Sequence, residues 1–182
     1  LEKPMDIYGG AWVNHTEKLE ENWRSSIEST DTVILAGDIS WALKLQEARL
    51  DLDWIDSLPG KKIIFKGNHD LWWNGIQKMN QLYDSIDFIQ NTSYRAEDYY
   101  ICGSRGWICP GGDDFSSQDE KIYRRELLRL EMSLQDVPKD GKIIGVLHYP
   151  PSNNGLSGSA FTERFELAGA EIVVYGNLHG ED

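Results

Sequence analysis

Four short apolar runs constrain this chain more than anything else in it: "TVILAG" (32–37), "KIIFKG" (62–67), "KIIGVLH" (142–148) and "AEIVVYG" (170–176). Each is too short for a helix and rich in Val and Ile, the mark of a strand buried on both faces. Helical spacing fills the intervals. "TEKLEENWRSSIES" (16–29) sets Leu19, Trp23 and Ile27 four apart on one face, and "QEARLDLDWIDSLPG" (46–60) does so with Leu50, Trp54 and Leu58 before Pro59-Gly60 stops it. "NGIQKMNQLYDSI" (74–86) predicts a further helix and "TERFELAG" a short one. The longest is expected over 117–137, capped by Ser117 or Asp119 and ended by Pro138. Strands alternating with helices predict an α/β fold with a largely parallel sheet. After Asp87 the texture changes: "DFIQN", "YYICGS" and "GWIC" predict short strands in hairpins or a mixed sheet.

Each run delivers a metal-competent or acid–base side chain at its carboxyl end. Asp38 comes directly after the first and Asn68-His69-Asp70 after the second; His148 ends the third, and Asn177-Leu178-His179 come after the fourth. In open α/β sheets this carboxyl edge is where ligands bind. Three of the chain's four histidines sit there. A carboxylate such as Asp38 can bridge two cations about 3.5–4 Å apart. Asn68 offers an amide oxygen, and His148 and His179 offer ring nitrogens. That mixed set suits Mn, Fe, Zn or Co better than an all-oxygen magnesium or calcium cage. A water held between two cations loses its proton near neutral pH and becomes a nucleophile. His69 is then expected to protonate the leaving alkoxide, with Asp70 holding its other ring nitrogen. The competing local reading of Asn68-His69-Asp70 is a turn followed by a helix cap, and that of Asp38 an Asx-turn.

Bulk properties narrow the partners. With 18 basic and 30 acidic residues the net charge is −12, which argues against a general nucleic-acid surface. A small phosphorylated substrate or a phosphoprotein fits, whereas the oligomeric state has no signature. "LEKPMDIYGG" lacks the apolar segment of a secretory leader, and no apolar run approaches the ~20 residues of a membrane span. Two unevenly placed cysteines, Cys102 and Cys109, suggest free thiols in a reducing cytoplasm. One domain over residues 1–182 is expected.

The series "GD" (37–38), "GNHD" (67–70), His148 in "LHYPP" and "GNLHG" (176–180) resembles the calcineurin-like metallophosphoesterases, in the family's order and over nearly the whole chain from about residue 32. The resemblance implies a four-layer α/β/β/α sandwich of two mixed sheets flanked by helices. It implies a hydrolase that cleaves phosphomonoesters or phosphodiesters through two divalent metal ions, manganese among the candidates, and a metal-bound hydroxide. In that scheme Asp38 bridges both metals, Asn68 and His148 hold one, His179 holds the other, and His69 is the general acid oriented by Asp70. Two departures stand out. The family's opening Asp-x-His is absent before Asp38, so the chain is expected to begin after the first strand, and to stop at Asp182 before the last strands. Asn177 occupies a position where the family reads His, facing the same side as residue 179 if that segment is extended. An alternative is therefore a non-catalytic binding module on a degraded metal site. Arg105, in the glycine-flanked "CGSRGWICPGG", is either a bidentate phosphate clamp or an ordinary loop arginine. Trp41, Trp72 and Trp73, directly after the first two motifs, either wall the cleft or pack in the core.

Overall fold

Successive side chains of a strand point to opposite faces, and in the runs at 62–67 and 142–148 both faces find an apolar partner. In the run at 170–176, by contrast, Ile172, Val174 and Tyr175 are exposed, so that run is not buried on both faces as expected. The computed structural model describes residues 9–112, 115–153 and 158–178. In β2 (Lys61–Ile64), Ile64 packs with Ala48, Leu52 and Ile55 of α2 (Leu45–Asp56), while the adjacent Ile63 packs with Ile101 and Val146 of a second sheet. Leu147, next to Val146, turns the other way onto Tyr123, Leu130, Phe161 and Phe165 of two further helices. Three apolar layers thus separate four structural ones, helix, sheet, sheet and helix.

The first sheet has the order β1 (Thr32–Leu35), β2, β3 (Ile86–Phe88) and is parallel throughout. The second has the order β4 (Ser93–Ala96), β5 (Tyr99–Ser104), β6 (Lys142–Leu147), β7 (Ala170–Tyr175); β4 runs antiparallel to β5 and the other pairs are parallel. Only this sheet is mixed among the described residues, where both were expected to be. Register aligns the strand ends: Leu35 lies opposite Ile64, and Leu147 opposite both Ser104 and Tyr175. Residues 36, 65, 105, 148 and 176 therefore leave the sheets at one edge.

The helices are α1 (His15–Ser26), α2, α3 (Ile76–Met79), α4 (Ser117–Gln135) and α5 (Ala160–Ala168). α3 is far shorter than the predicted 74–86. Asn80 ends it, because its side-chain amide donates to the Phe88 carbonyl and its oxygen accepts the Phe88 N–H, side-chain bonds that anchor it to β3. α4 is capped one residue earlier than expected: the Ser116 hydroxyl accepts the Asp119 N–H and the Asp119 carboxylate accepts the Ser116 N–H. "GWIC" forms no strand; Trp107 and Cys109 instead pack on the α4–α5 layer, while β4 forms where none was predicted. Lys62 is fully buried and donates to the Leu58 and Gly60 carbonyls of the turn after α2 at 2.8 and 2.9 Å, and to the Asp56 carbonyl at the end of α2 at 3.3 Å. Cys102 and Cys109 are free, buried thiols. No helix among the described residues is long and apolar enough to cross a membrane.

Candidate functional site

At the shared edge, side chains from both sheets converge. His148, 2% exposed at the end of β6, places Nδ1 2.9 Å from the Ala36 carbonyl of the opposite sheet. A carbonyl only accepts, so the proton sits on Nδ1 and Nε2 presents its lone pair. That lone pair faces Asn68 Oδ1 at 2.6 Å and Asp38 Oδ1 at 3.5 Å. Burial lowers the His148 pKa despite the nearby Asp38 carboxylate and the Ala36 carbonyl, so the ring is neutral at pH 7 and the Asp38 contact is no ion pair. One nitrogen and two oxygens, all acceptors, thus crowd one point. The chemistry of the set fits a divalent cation, and a ligating histidine tied through its other nitrogen to a backbone carbonyl is the usual companion of such a site. Among the described residues no group of three or more His, Cys, Asp or Glu side chains gathers around one point; the residues that do gather are Asp38, His148 and the amide of Asn68.

The backbone is bent tightly to achieve this. Asp38 adopts the left-handed region with φ 58° and follows Gly37 at φ 104°. A Cβ on Gly37 would lie 2.5 Å from the Gly67 nitrogen and 2.9 Å from the His148 ring, and one on Gly67 would collide with the Asp38 amide and carboxylate. Two motif glycines therefore touch each other so that two exits can meet.

Asp70 is fully buried and its oxygens are taken. Oδ2 accepts the N–H of Asp38 and of Gly67, both at 2.8 Å; Oδ1 accepts the N–H of Ile39 at 2.9 Å, of Ser40 at 3.1 Å and the Trp72 indole at 3.1 Å. Burial pushes its pKa up, and the amides of Gly67 and Ser40 pull it back. The expectation that Asp70 holds the His69 ring gives way to a different role: it staples the exits of β1 and β2 together. The His69 amide donates to Asp38 Oδ1 at 2.9 Å, and its imidazole stacks on Trp41 with centroids 4.5 Å apart and planes 9° apart. Trp72 and Trp73 are core residues, packed with Phe88.

Arg105 leaves β5 beside the site, its carbonyl accepting the N–H of His148 and Tyr149, both at 3.0 Å. Its guanidinium is already paired, with Glu126 at 3.1 Å and over the Trp107 ring at 4.6 Å. Glu126 is also shared by Arg129 at 2.9 Å. A cavity of about 20 Å³ adjoins these groups, lined among others by Lys66, Asn91, Arg105 and Glu126. The unpartnered buried atoms there are Arg105 Nε, Asn91 Oδ1 and Glu126 Oε2, one donor and two acceptors, the complement of a single water. The β7 exit adjoins that of β6 through the Gly176 N–H donating to the His148 carbonyl at 3.1 Å, and Asn177 comes next in the left-handed region at φ 55°. His179, expected to bind the second metal, lies outside the described residues. Sequence reasoning missed the Ala36 carbonyl, which has no residue-type signature, and the Trp41–His69 stack, for which the adjacency of "GDISW" to the first exit was the available cue.

A family model described as calcineurin-like phosphoesterase matches residues 6–181. No curated protein matches the chain. Among solved structures, phosphopantetheinyl hydrolase from Mycobacterium tuberculosis aligns over 87% of this chain and 77% of its own, at 15% identity and a TM-score of 0.53. A protein of unknown function from Aquifex aeolicus aligns over 94% of this chain and 85% of its own, at 17% identity and a TM-score of 0.42. At such identity the first of these shows the shared fold.

Proposed function

The chain belongs to the calcineurin-like phosphoesterase family, and from that premise we propose that it is a metal-dependent hydrolase of phosphomonoesters or phosphodiesters with a two-metal centre. The observation that carries the reading is the convergence of His148 Nε2, Asn68 Oδ1 and Asp38 Oδ1, with His148 Nδ1 spent on the Ala36 carbonyl. Asp38, Asn68 and His148 would hold divalent cations, with Asn177 and His179 as further ligands; manganese is the first to test. When bound, such cations supply Lewis-acid charge to the ester oxygens and activate the attacking water.

The chain's own groups divide the remaining work. Burial keeps His148 neutral and its Nε2 lone pair available. Asp70 fixes the two exits that carry Asp38, Asn68 and His69, so the ligands are ordered before substrate arrives. His69 carries the proton for the leaving alkoxide. A net charge of −12 disfavours long nucleic acids, and a small phosphorylated compound or a phosphoprotein remains a fitting substrate. Two free buried thiols support a reducing cytoplasm.

The test is turnover of phenyl phosphate with added Mn²⁺, abolished by Asp38→Asn and lowered at least about a hundredfold by His69→Ala. No turnover above those two variants overturns the reading. Asn177, where an imidazole is expected, favours the alternative of a binding module that has lost its metals. Calorimetric titration with Mn²⁺ separates the two, since tight binding at two sites excludes the alternative.

A further inference from the structure

We infer that Trp41 is the residue that positions the His69 imidazole, the role that the neighbouring carboxylate of Asp70 does not fill. This rests on the reading of His69 as the general acid. Three observations meet here. The Asp70 oxygens are shared among five donors, four of them backbone amides, and are tied to the backbone of the two exits. The His69 ring lies face to face with the Trp41 indole, 4.5 Å away and 9° from parallel. Both carriers are pinned. Ser40, before Trp41, donates its N–H to Asp70, and Ala42, after it, donates to the Ser40 hydroxyl at 3.3 Å. His69 donates its own amide to Asp38 at 2.9 Å. Asp70 thus acts at one remove: it holds the loop that holds the indole that holds the acid.

Trp41 is 44% exposed, so burial is a poor account of why a tryptophan stands there. A flat ring laid against an imidazole restricts its tilt while leaving both ring nitrogens at the edge, free to meet a leaving oxygen. A carboxylate partner would occupy one of those nitrogens, whereas an indole face occupies neither. Parallel stacking of this kind is favourable and geometrically specific.

The test uses the purified protein with Mn²⁺ and two substrates, phenyl phosphate, whose leaving group needs a proton, and p-nitrophenyl phosphate, whose leaving group does not. Trp41→Leu, which keeps apolar bulk without a π face, should lower kcat for phenyl phosphate about tenfold with little change in KM, and leave p-nitrophenyl phosphate nearly unaffected. Trp41→Phe should retain activity within about threefold. In a His69→Ala background, Trp41→Leu should cost nothing further. Independently of turnover, and in the protein freed of paramagnetic Mn²⁺ by chelator, the His69 ring proton resonances, identified by their loss in His69→Ala, should move downfield in Trp41→Leu as the indole ring current disappears. An equal loss in the His69→Ala background, a change confined to KM, or an unmoved ring resonance overturns the assignment. Absence of any wild-type turnover would instead sink the hydrolase reading, with the resonance shift still judging the stack.

Discussion

The carboxylate of Asp70 accepts the backbone N–H of Asp38 at 2.8 Å, joining two residues that lie 32 positions apart in the loops after separate strands. Because the same oxygen accepts the Gly67 amide, one buried side chain sets the spacing between the exits of β1 and β2. Replacing it by Asn turns part of this acceptor into a donor facing donors. Asp70→Asn should lower unfolding stability by about 3 kcal/mol in urea titration and abolish turnover, since buried amides then lose their partner. A variant within about 0.5 kcal/mol of wild type would show that the staple is not structural.

Gly67 has no room for a side chain, as its Cβ would meet the Asp38 carboxylate. Gly67→Ala must push Asp38 off its position to be accommodated. Mn²⁺ affinity, measured by calorimetry, should fall at least about tenfold while the far-ultraviolet circular dichroism stays native. Unchanged affinity would mean Asp38 Oδ1 does not face the cation.

Stability of the metal-free protein should depend on His148. Its folded pKa lies below the ordinary 6.5, with burial as the main cause. As pH falls below about 6.5 the unfolded chain takes up a proton that the folded ring resists, so stability drops until the folded pKa is reached. The slope attributable to one proton is at most about 1.4 kcal/mol per pH unit. Urea midpoints in chelator at pH 7.5, 6.5 and 5.5 should therefore fall more steeply for wild type than for His148→Gln. Parallel slopes would place the ring in a solvated setting.

Asn177 occupies the left-handed region, which histidine tolerates better than most residues. If its side chain reaches the metal, Asn177→His should tighten Mn²⁺ or Zn²⁺ binding about tenfold, because imidazole is the better donor for such ions. Equal affinity in both proteins removes residue 177 from the ligand set.

Much of the architecture is legible in the chain itself. The runs at 32–37, 142–148 and 170–176 contain β1, β6 and β7, that at 62–67 holds all of β2 but Lys61, and the residues after them do arrive at one edge. Parallel strands enter at one side and leave at the other, so position along the sequence translates directly into position in space. For this reason Asp38, Asn68 and His148 can be grouped from the order of residues alone. α3 shows where the translation stops: periodicity favours a helix to residue 86, but Asn80 finds the Phe88 backbone and ends it.

The sequence, then, determined the strands, their common direction and the chemical types delivered at their ends, because periodicity and turn residues are local properties of the chain. Tertiary structure alone decided which atoms face one another. The Ala36 carbonyl selects the tautomer of His148, Asp70 turns to backbone amides, Trp41 covers His69, and Glu126 claims Arg105. Those partnerships depend on the gap between two sheets and on rotamers chosen by packing, and neither has a period to be read along a chain.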